Sequence, residues 1–487
     1  MLSPFALVGI LICLYWMQVV VYNLYLHPLA SYPGPLLARS SLIWRFYYTL
    51  GGRFHLAIDH GHKQYGSVFR VSPNELSFGS ATSFKDIYGH QTGGKQIPTK
   101  SEFYNMYGSG FNSLCIGSER DPQKHRRMKA SLSAAFSTKA LSEQEHIVAN
   151  AVDGFVNRLG ELGGPKSKGV DITKWYEMIA FDVLGEMAFG ESFGCVTNGK
   201  PHFWQELILE HLYLITVADN LRRLPSVRTL ARLFFPFVSA ISRKHTGYTR
   251  EKVKERLSVR FSRNDFMTHL ISKVDNGTIT QEELTAHAST LVIAGGETVA
   301  TFLAATTFYL LKDQAPGGSW DRLCREVRGH YQSYEEIDAA SAQQLPYLRA
   351  VIEEGLRIYP PGSQGFPRIS PGAMIDGHWV PQGTEMYTSA FTVTHDEKNF
   401  PDPFRFDPER WLDASRPDVK EASQPFSLGP RGCLGRNFAL MEINQILAKL
   451  VFRYDWELVN TDLDWQGQSH VHVMWWKPSL MVRFHER

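Results

Sequence analysis

A cysteine set among glycines is the residue in this 487-residue chain best placed to do chemistry. It lies in Phe426-Ser427-Leu428-Gly429-Pro430-Arg431-Gly432-Cys433-Leu434-Gly435, at the start of an apolar-periodic segment marked by Leu434, Phe438, Met441 and Leu447. A thiol where a glycine-rich loop enters a helix meets unpaired backbone N–H groups and the positive end of the helix dipole, which favour thiolate. Gly429, Gly432 and Gly435 let a flat, bulky group approach the backbone. Two plainer readings compete: a core cysteine in a turn, and a thiol nucleophile whose histidine need not be near in sequence. A second constellation is Glu354 and Arg357, three apart and so on one helical face. Leu345, Leu348, Ile352, Leu356 and Tyr359 form an apolar stripe on the same helix, which Pro360-Pro361 ends. As a surface pair they would contribute only about 0.3–0.5 kcal/mol. The third is Ala294-Gly295-Gly296-Glu297-Thr298, inside a segment apolar on every face. Two glycines within a helix cost about 1 kcal/mol each relative to alanine, and a glutamate in apolar surroundings costs more. Such a place tolerates a penalty for a purpose; a packing notch with a solvated acid is the plainer alternative.

In this order the motifs resemble those of the cytochrome P450 family. The segment from Phe426 to Gly435 matches F-x-x-G-x-R-x-C-x-G at every fixed position. The resemblance implies that Cys433 is the thiolate ligand to the iron of haem b (iron protoporphyrin IX), with Phe426, Gly435 and Ala294 beside the cofactor. It equates Glu354 and Arg357 with the family's E-x-x-R pair, and Arg410, in Pro408-Glu409-Arg410-Trp411, with the third member of a network that braces the haem pocket. Thr298 would hydrogen-bond dioxygen, and Glu297 would help deliver protons from water. Arg431 and Arg368 fall where family members supply arginines to the haem propionates. The run Lys124-His125-Arg126-Arg127-Met128-Lys129 departs from the pattern, because many relatives carry tryptophan and arginine where this chain has His125 and Lys129. Lysine pairs a carboxylate as a point charge and not bidentately. A solvated helix face is the plain reading of this run; in relatives the same surface receives the electron-donating reductase. The opening Tyr22-Asn23-Leu24-Tyr25-Leu26-His27-Pro28-Leu29, with Arg70-Val71-Ser72-Pro73-Asn74-Glu75-Leu76, is similar to fungal secondary-metabolite hydroxylases of the isotrichodermin hydroxylase type.

What the resemblance implies is a haem-thiolate monooxygenase. It would insert one oxygen atom from O2 into a lipophilic small molecule such as a terpenoid or polyketide. NADPH electrons would arrive through a flavoprotein reductase. The pocket would draw on Phe103 to Phe111 with Tyr107 between them, on the region from Phe203 to Leu224, on Leu291 and Ala294, and on Ser363 to Phe366. Asn112 and Gln364 could orient a polar group. A haem-thiolate isomerase or dehydratase working without external electrons, and a non-catalytic haem-binding sensor, are the alternatives.

The elements that must hold these residues read as mainly α with small β-sheets, an α+β arrangement in one large domain. Helical patterns dominate from about Lys124 to Lys312, and Thr280 with Glu283 three residues on opens the longest helix as a capping box. Ser67–Ser72 and Glu75–Phe78 read as a hairpin across Pro73-Asn74. Met374–Val380, with Asp376-Gly377 as a turn signal within it, is expected to pair with Glu385–Ser389, and His470–Trp475 with Ser479–Phe484 across Lys477-Pro478. Residues 1–26 carry no charged side chain and are long enough to cross a bilayer, with Tyr15, Trp16 and Tyr22 suited to an interface. A charged n-region and a small-residue cleavage box are both missing, which favours a retained anchor over a cleaved signal. The expected organisation is an anchor over 1–26, a proline-rich hinge over 27–38 and the catalytic domain over 39–487. Arg39, Arg45 and Arg53 favour a cytosolic C-terminal side, at the endoplasmic reticulum membrane. With 51 basic and 49 acidic residues and no long basic tract, no nucleic-acid footprint is visible. Five widely spaced cysteines argue against a disulfide framework and against a zinc site.

Overall fold

Helix formation from Gln281 to Lys312 sets the centre of the molecule. In this computed structural model Thr280 caps the helix, its Oγ1 accepting from the Glu283 N–H at 3.1 Å. Glu282 and Glu283 in the first turn and Lys312 in the last complement the helix dipole. Apolar on all sides, its middle has to be enclosed by protein. The structure describes residues 3–487 apart from 92, 94–95, 109, 225–226 and 259–264, and of 225–241 no side chain. Ser109, within the expected pocket stretch Phe103–Phe111, therefore lies outside the described residues.

In chain order the helices that matter are α1 (Pro4–Val21), α2 (Ile43–Leu50), α3 (Pro122–Ser133), α4 (Thr138–Gly163), α5 (Ile172–Phe189), α6 (Phe203–Leu221), α7 (Val227–Ser258), α8 (Gln281–Lys312), α9 (Pro346–Ile358) and α10 (Arg436–Arg453). α5 lies along α8 over much of its length, and α7, α9 and α10 also touch α8. A cysteine loop at the start of α10 is thereby brought up to the middle of the molecule. The strands are β1 (Val68–Ser72), β2 (Glu75–Phe78), β3 (Thr99–Lys100), β4 (Val170–Asp171), β5 (Arg368–Ile369), β6 (Ala373–Ile375), β7 (His378–Val380), β8 (Glu385–Thr388), β9 (Tyr454–Leu458), β10 (His470–His472), β11 (Met474–Trp476) and β12 (Met481–Glu486). One sheet runs β1-β2-β8-β5-β3, a second β4-β12-β9, and two hairpins stand alone. The mainly helical α+β reading is what the chain adopts.

The hairpin β1–β2 forms as expected, with Val68 opposite Phe78. Two other pairings are corrected. Asp376 (φ 48°) and Gly377 (φ 77°) turn the chain so that β6 pairs with β7. β8 runs instead parallel to β2, Glu75 beside Glu385 and Phe78 beside Thr388. At the C-terminus Val473 (φ 67°) folds β10 onto β11, while β12 pairs with β9 and β4. In both cases a short local turn replaced the longer connection that the alternating pattern suggested.

α1 buries none of its eighteen residues and continues through a π-helical turn at Tyr22–Leu26, a candidate membrane anchor. Its exit is tied to the sheet. The buried Arg70 guanidinium donates to the carbonyls of Asn23 (2.7 Å) and Pro73 (2.6 Å), and Asn23 Nδ2 donates to Ser40 O at 2.9 Å. The 27–38 segment is thus held against β1 rather than left as a loose tether.

Candidate active site

Cys433 stands between a 3-10 turn at Gly429–Arg431 and the first residue of α10. Its N–H donates to Phe426 O at 2.8 Å, closing the loop on itself. Gly429 has φ 66°, and a Cβ there would sit 2.3 Å from the Tyr88 carbonyl oxygen, so no other residue fits. Gly435 differs: a Cβ built on it would meet nothing within 4 Å. The Cys433 side chain is solvent-accessible although protein surrounds it almost completely. Ala294, in mid-α8 between buried neighbours Ile293 and Gly296, is accessible as well. Both residues thus carry accessible surface although α8 and α10, which bear or follow them, touch. Burial pushes the Cys433 thiol up, and the N–H groups of Gly435 and Arg436 with the charges of Lys129 and Arg436 offset this only in part. The helix-start N–H groups thus favour thiolate as expected, against the burial that opposes it, and a metal cation at the sulfur would favour it further.

Five basic side chains gather near this loop. Arg368 Nη1 donates to the Tyr104 hydroxyl at 3.1 Å, and its guanidinium lies 5.1 Å from the Tyr88 ring centre. Arg431 donates to the carbonyls of Glu119 (2.7 Å) and Arg120 (2.8 Å), and Lys129 Nζ to Pro430 O at 2.9 Å. The fourth, Lys100, is buried, its Nζ held by the carbonyls of Ile116 (2.9 Å) and Gly117 (2.6 Å). Sequence reasoning missed it, because a lone lysine in a two-residue strand carries no signal. Among the described residues none of these four makes an ion pair. Burial, then Arg431 and Arg368, hold Lys100 well below its ordinary value. Burial, then Arg368, lowers Arg431 to about 10. His125 is lowered to about 3 by burial and then by Arg431, Lys100, Lys129 and Arg368, and so is neutral. A group carrying two carboxylates fits such a cluster, since it would offset the mutual repulsion of these cations.

The bracing network is larger than expected. Glu354 and Arg357 on α9 have no exposed side-chain surface and pair bidentately, both contacts at 2.8 Å. Arg357 also donates to the carbonyls of Thr394 and Pro403 at 2.8 Å. Arg410 Nε lies 3.5 Å from Glu354, and its Nη1 pairs with Asp418 at 2.7 Å. Trp411 Nε1 (3.0 Å) and the Asp407 N–H (2.8 Å) complete the shell of Glu354. A surface pair is excluded, and α9 is pinned to the stretch that leads into the cysteine loop.

On α8 the Thr298 hydroxyl donates back to Ala294 O at 2.6 Å. Gly295 is a packing notch in part: a Cβ there would press on Leu184 of α5 at 2.9 Å. Glu297 is not solvated. It pairs at 3.1 Å with Lys477, which also contacts Glu177 of α5 at 3.0 Å. Neither Lys477 nor Glu177 was visible as a site residue in the sequence.

The expected pocket residues divide. Phe103, Tyr107 and Leu291 are half-buried and pack on the main core. Phe111 turns instead to α7, with the Arg250 guanidinium 5.4 Å from its ring centre. The Asn112 N–H donates to Glu282 at 2.9 Å. Phe366 is exposed, with its backbone N–H and carbonyl both bonded to the Tyr88 hydroxyl, and Gln364 Nε2 reaches Val471 O at 3.4 Å.

An accessible cysteine beneath a buried helix, an open face at Gly435 and an unpaired basic cluster are what a haem-thiolate protein needs. The sequence profile of the Cytochrome P450 family matches residues 33–483. The chain is 64% identical over 482 residues to Cytochrome P450 monooxygenase ORF9 of Penicillium roqueforti, an alignment covering 99% of this chain and 94% of that protein. It is 51% identical over 480 residues to Cytochrome P450 monooxygenase BOT4 of Botryotinia fuckeliana, covering 99% and 90%. The chain belongs to the cytochrome P450 family and is a haem-dependent monooxygenase.

Proposed function

We propose that this monooxygenase hydroxylates a lipophilic secondary metabolite, a terpenoid or polyketide of moderate size, with NADPH electrons passed on by a separate flavoprotein reductase. The observation that carries the reading is the accessible Cys433 at the head of α10, a helix that touches α8, where Ala294 is accessible too. Haem, when bound, supplies the activation of dioxygen and the oxidation of substrate. Cys433 would hold its iron, with Phe426 and Gly435 beside it, and Arg368, Arg431, Lys100, Lys129 and neutral His125 would hold its carboxylates. Phe103, Tyr107 and Leu291 give the space above an apolar wall that excludes water and draws a lipophilic molecule; Gln364 and Phe366 stand at its edge. Thr298 moves a proton at its Oγ1, which has to leave Ala294 O to serve the cavity, and Glu297 recharges it.

The reductase reading is supported by Lys124, Arg126 and Arg127, all exposed on α3 while His125 and Lys129 of the same helix point inward. Such a patch suits an acidic partner surface. Residues 1–26 act as a single membrane anchor at the endoplasmic reticulum, 27–38 as a fixed hinge, and 39–487 as the cytosolic catalytic domain. The test is twofold. Reduced, carbon-monoxide-bound protein is expected to show the Soret band of thiolate-ligated haem. With reductase, NADPH and O2, it should form product in proportion to NADPH consumed. A histidine-type band in folded protein removes Cys433 from its role, and product formed without reductase points to an isomerase or dehydratase.

A further inference from the structure

Two carboxylates share one ammonium beside Thr298. Lys477 leaves the end of β11 and turns inward, its side chain 1% exposed. Nζ lies 3.0 Å from Glu177 Oε1 and 3.1 Å from Glu297 Oε2, with Thr301 Oγ1 at 3.3 Å. Glu297 and Thr301 are one turn apart on α8, so they present one face to Lys477; Thr298 lies on the adjoining face with Ala294. Glu177 is the member of the trio that reaches solvent: its side chain is 24% exposed, against 1% for Lys477 and 9% for Glu297. Two acids and one base leave a net charge of −1 in a poorly hydrated place, which favours uptake of one further proton. Consistent with this, Glu297 is raised, by burial first and with Glu177 adding to it, against the pull of Lys477. Lys477 itself is raised by Glu297 and Glu177, although burial opposes them, so it stays charged.

We propose that Glu177 is the solvent-side port of a proton path that runs through Lys477 to Glu297. The inference rests on reading Glu297 and Thr298 as the proton-delivering pair. A hydronium ion or buffer acid from bulk solvent gives its proton to Glu177 and leaves as water or the buffer base; Lys477 gives a proton to Glu297 and takes the one on Glu177, so it starts and ends as an ammonium. Neutral Glu297 is no longer held by the ammonium and can rotate towards the face that carries Thr298. Oxidation of one C–H bond by O2 consumes two protons and two electrons and yields one hydroxyl group and one water. The path therefore cycles twice for each pair of electrons that NADPH supplies through the reductase.

The experiment is Glu177→Gln in the full-length, haem-loaded enzyme. Product formation with NADPH and reductase is expected to fall about tenfold, with a larger solvent deuterium isotope effect. The reduced carbon-monoxide spectrum and the substrate-induced spectral change stay as in wild type. Glu177→Asp restores at least part of the rate. A readout independent of turnover is the deuterium-sensitive infrared C=O stretch of a protonated carboxyl in the resting enzyme, expected to shift in Glu177→Gln and to vanish in Glu297→Gln. Wild-type rate, isotope effect and infrared band in Glu177→Gln, with Glu297→Gln impaired, overturn the port alone. If Glu297→Gln is also unimpaired, the relay reading fails with it.

Discussion

Replacing Arg357 by methionine tests the bracing network where its energetics are clearest. The change removes a guanidinium with no exposed surface, together with two 2.8 Å contacts to Glu354 and the donors to the carbonyls of Thr394 and Pro403. Removing one partner of a buried ion pair costs about 3–5 kcal/mol, because the remaining charge stays desolvated. Trp411, the Asp407 N–H and, at 3.5 Å, Arg410 still reach Glu354, which pulls the cost down. The orphaned carbonyls push it up by roughly 1–3 kcal/mol each. A net loss of about 4 kcal/mol is expected, close to a thousandfold in the folding equilibrium and a large share of the roughly 5–15 kcal/mol that holds a domain folded. Urea unfolding followed by circular dichroism reads the loss, and the fraction of protein carrying thiolate-ligated haem reads its consequence. Arg357→Lys should recover less than half, since an ammonium cannot span both carboxylate oxygens and two carbonyls. Adding Glu354→Gln to Arg357→Met should recover about 1–2 kcal/mol by removing the unpaired charge. An Arg357→Met protein within 1 kcal/mol of wild type, fully loaded with haem, would refute the reasoning.

Thr298→Ala is expected to lower product formed per NADPH by about tenfold while peroxide rises; unchanged coupling in a peroxide assay counts against the relay. Lys100→Met should weaken haem retention more than it weakens the apoprotein. In the haem-free cluster the relief of repulsion offsets part of the cost of leaving the Ile116 and Gly117 carbonyls without their donor. The substitution also removes a charge-assisted contact worth about 1.5–3 kcal/mol, so haem passes to a scavenger roughly 10–100-fold faster. His245 gives a pH prediction. Its Nδ1 accepts from Trp204 Nε1 at 2.8 Å, and burial followed by His211 lowers it to about 3. Between pH 3 and about 6.5 the unfolded chain binds a proton that the folded protein refuses, so stability rises with pH in that window. It is lost on acidification at up to about 1.4 kcal/mol per pH unit. His245→Gln should reduce the measured slope by that share, the remainder coming from His125, His55 and His395, which burial also lowers to about 3; an unchanged slope in denaturation series from pH 6 to 4 refutes the assignment.

Residues whose chemistry is written in local spacing were legible. Glu354 and Arg357 sit on one turn of a helix, so their pairing follows from the helix alone, and Gly429 and Cys433 are set by a loop of a few residues. Thr280 and the hairpin at Pro73-Asn74 are local in the same sense. Arg410 needed the family pattern, because it meets Glu354 only after the chain has passed Thr394 and Pro403. Lys100 had no such pattern. Its importance comes from lying near Arg368 and Arg431, and the antiparallel step that sets Lys100 beside Arg368 joins residues far apart in sequence.

Lys477 shows how a pairing error hides a functional residue. With His470–Trp475 paired to Ser479–Phe484, Lys477-Pro478 would be the tip of a surface hairpin, and a lysine there would be solvated. Val473 turns the chain four residues earlier. β10 and β11 then close on each other, and the strand that follows is claimed by β9 and β4. Lys477 thus falls in the crossing between two sheets, where the chain passes α8, and its ammonium has no water to face. Carboxylates have to balance a charge in that position; α8 offers the buried Glu297 and α5 the half-buried Glu177. The acid at Glu297, which by sequence alone looked like a penalty in an apolar helix, is thus the counter-charge that lets the C-terminal strands cross the core.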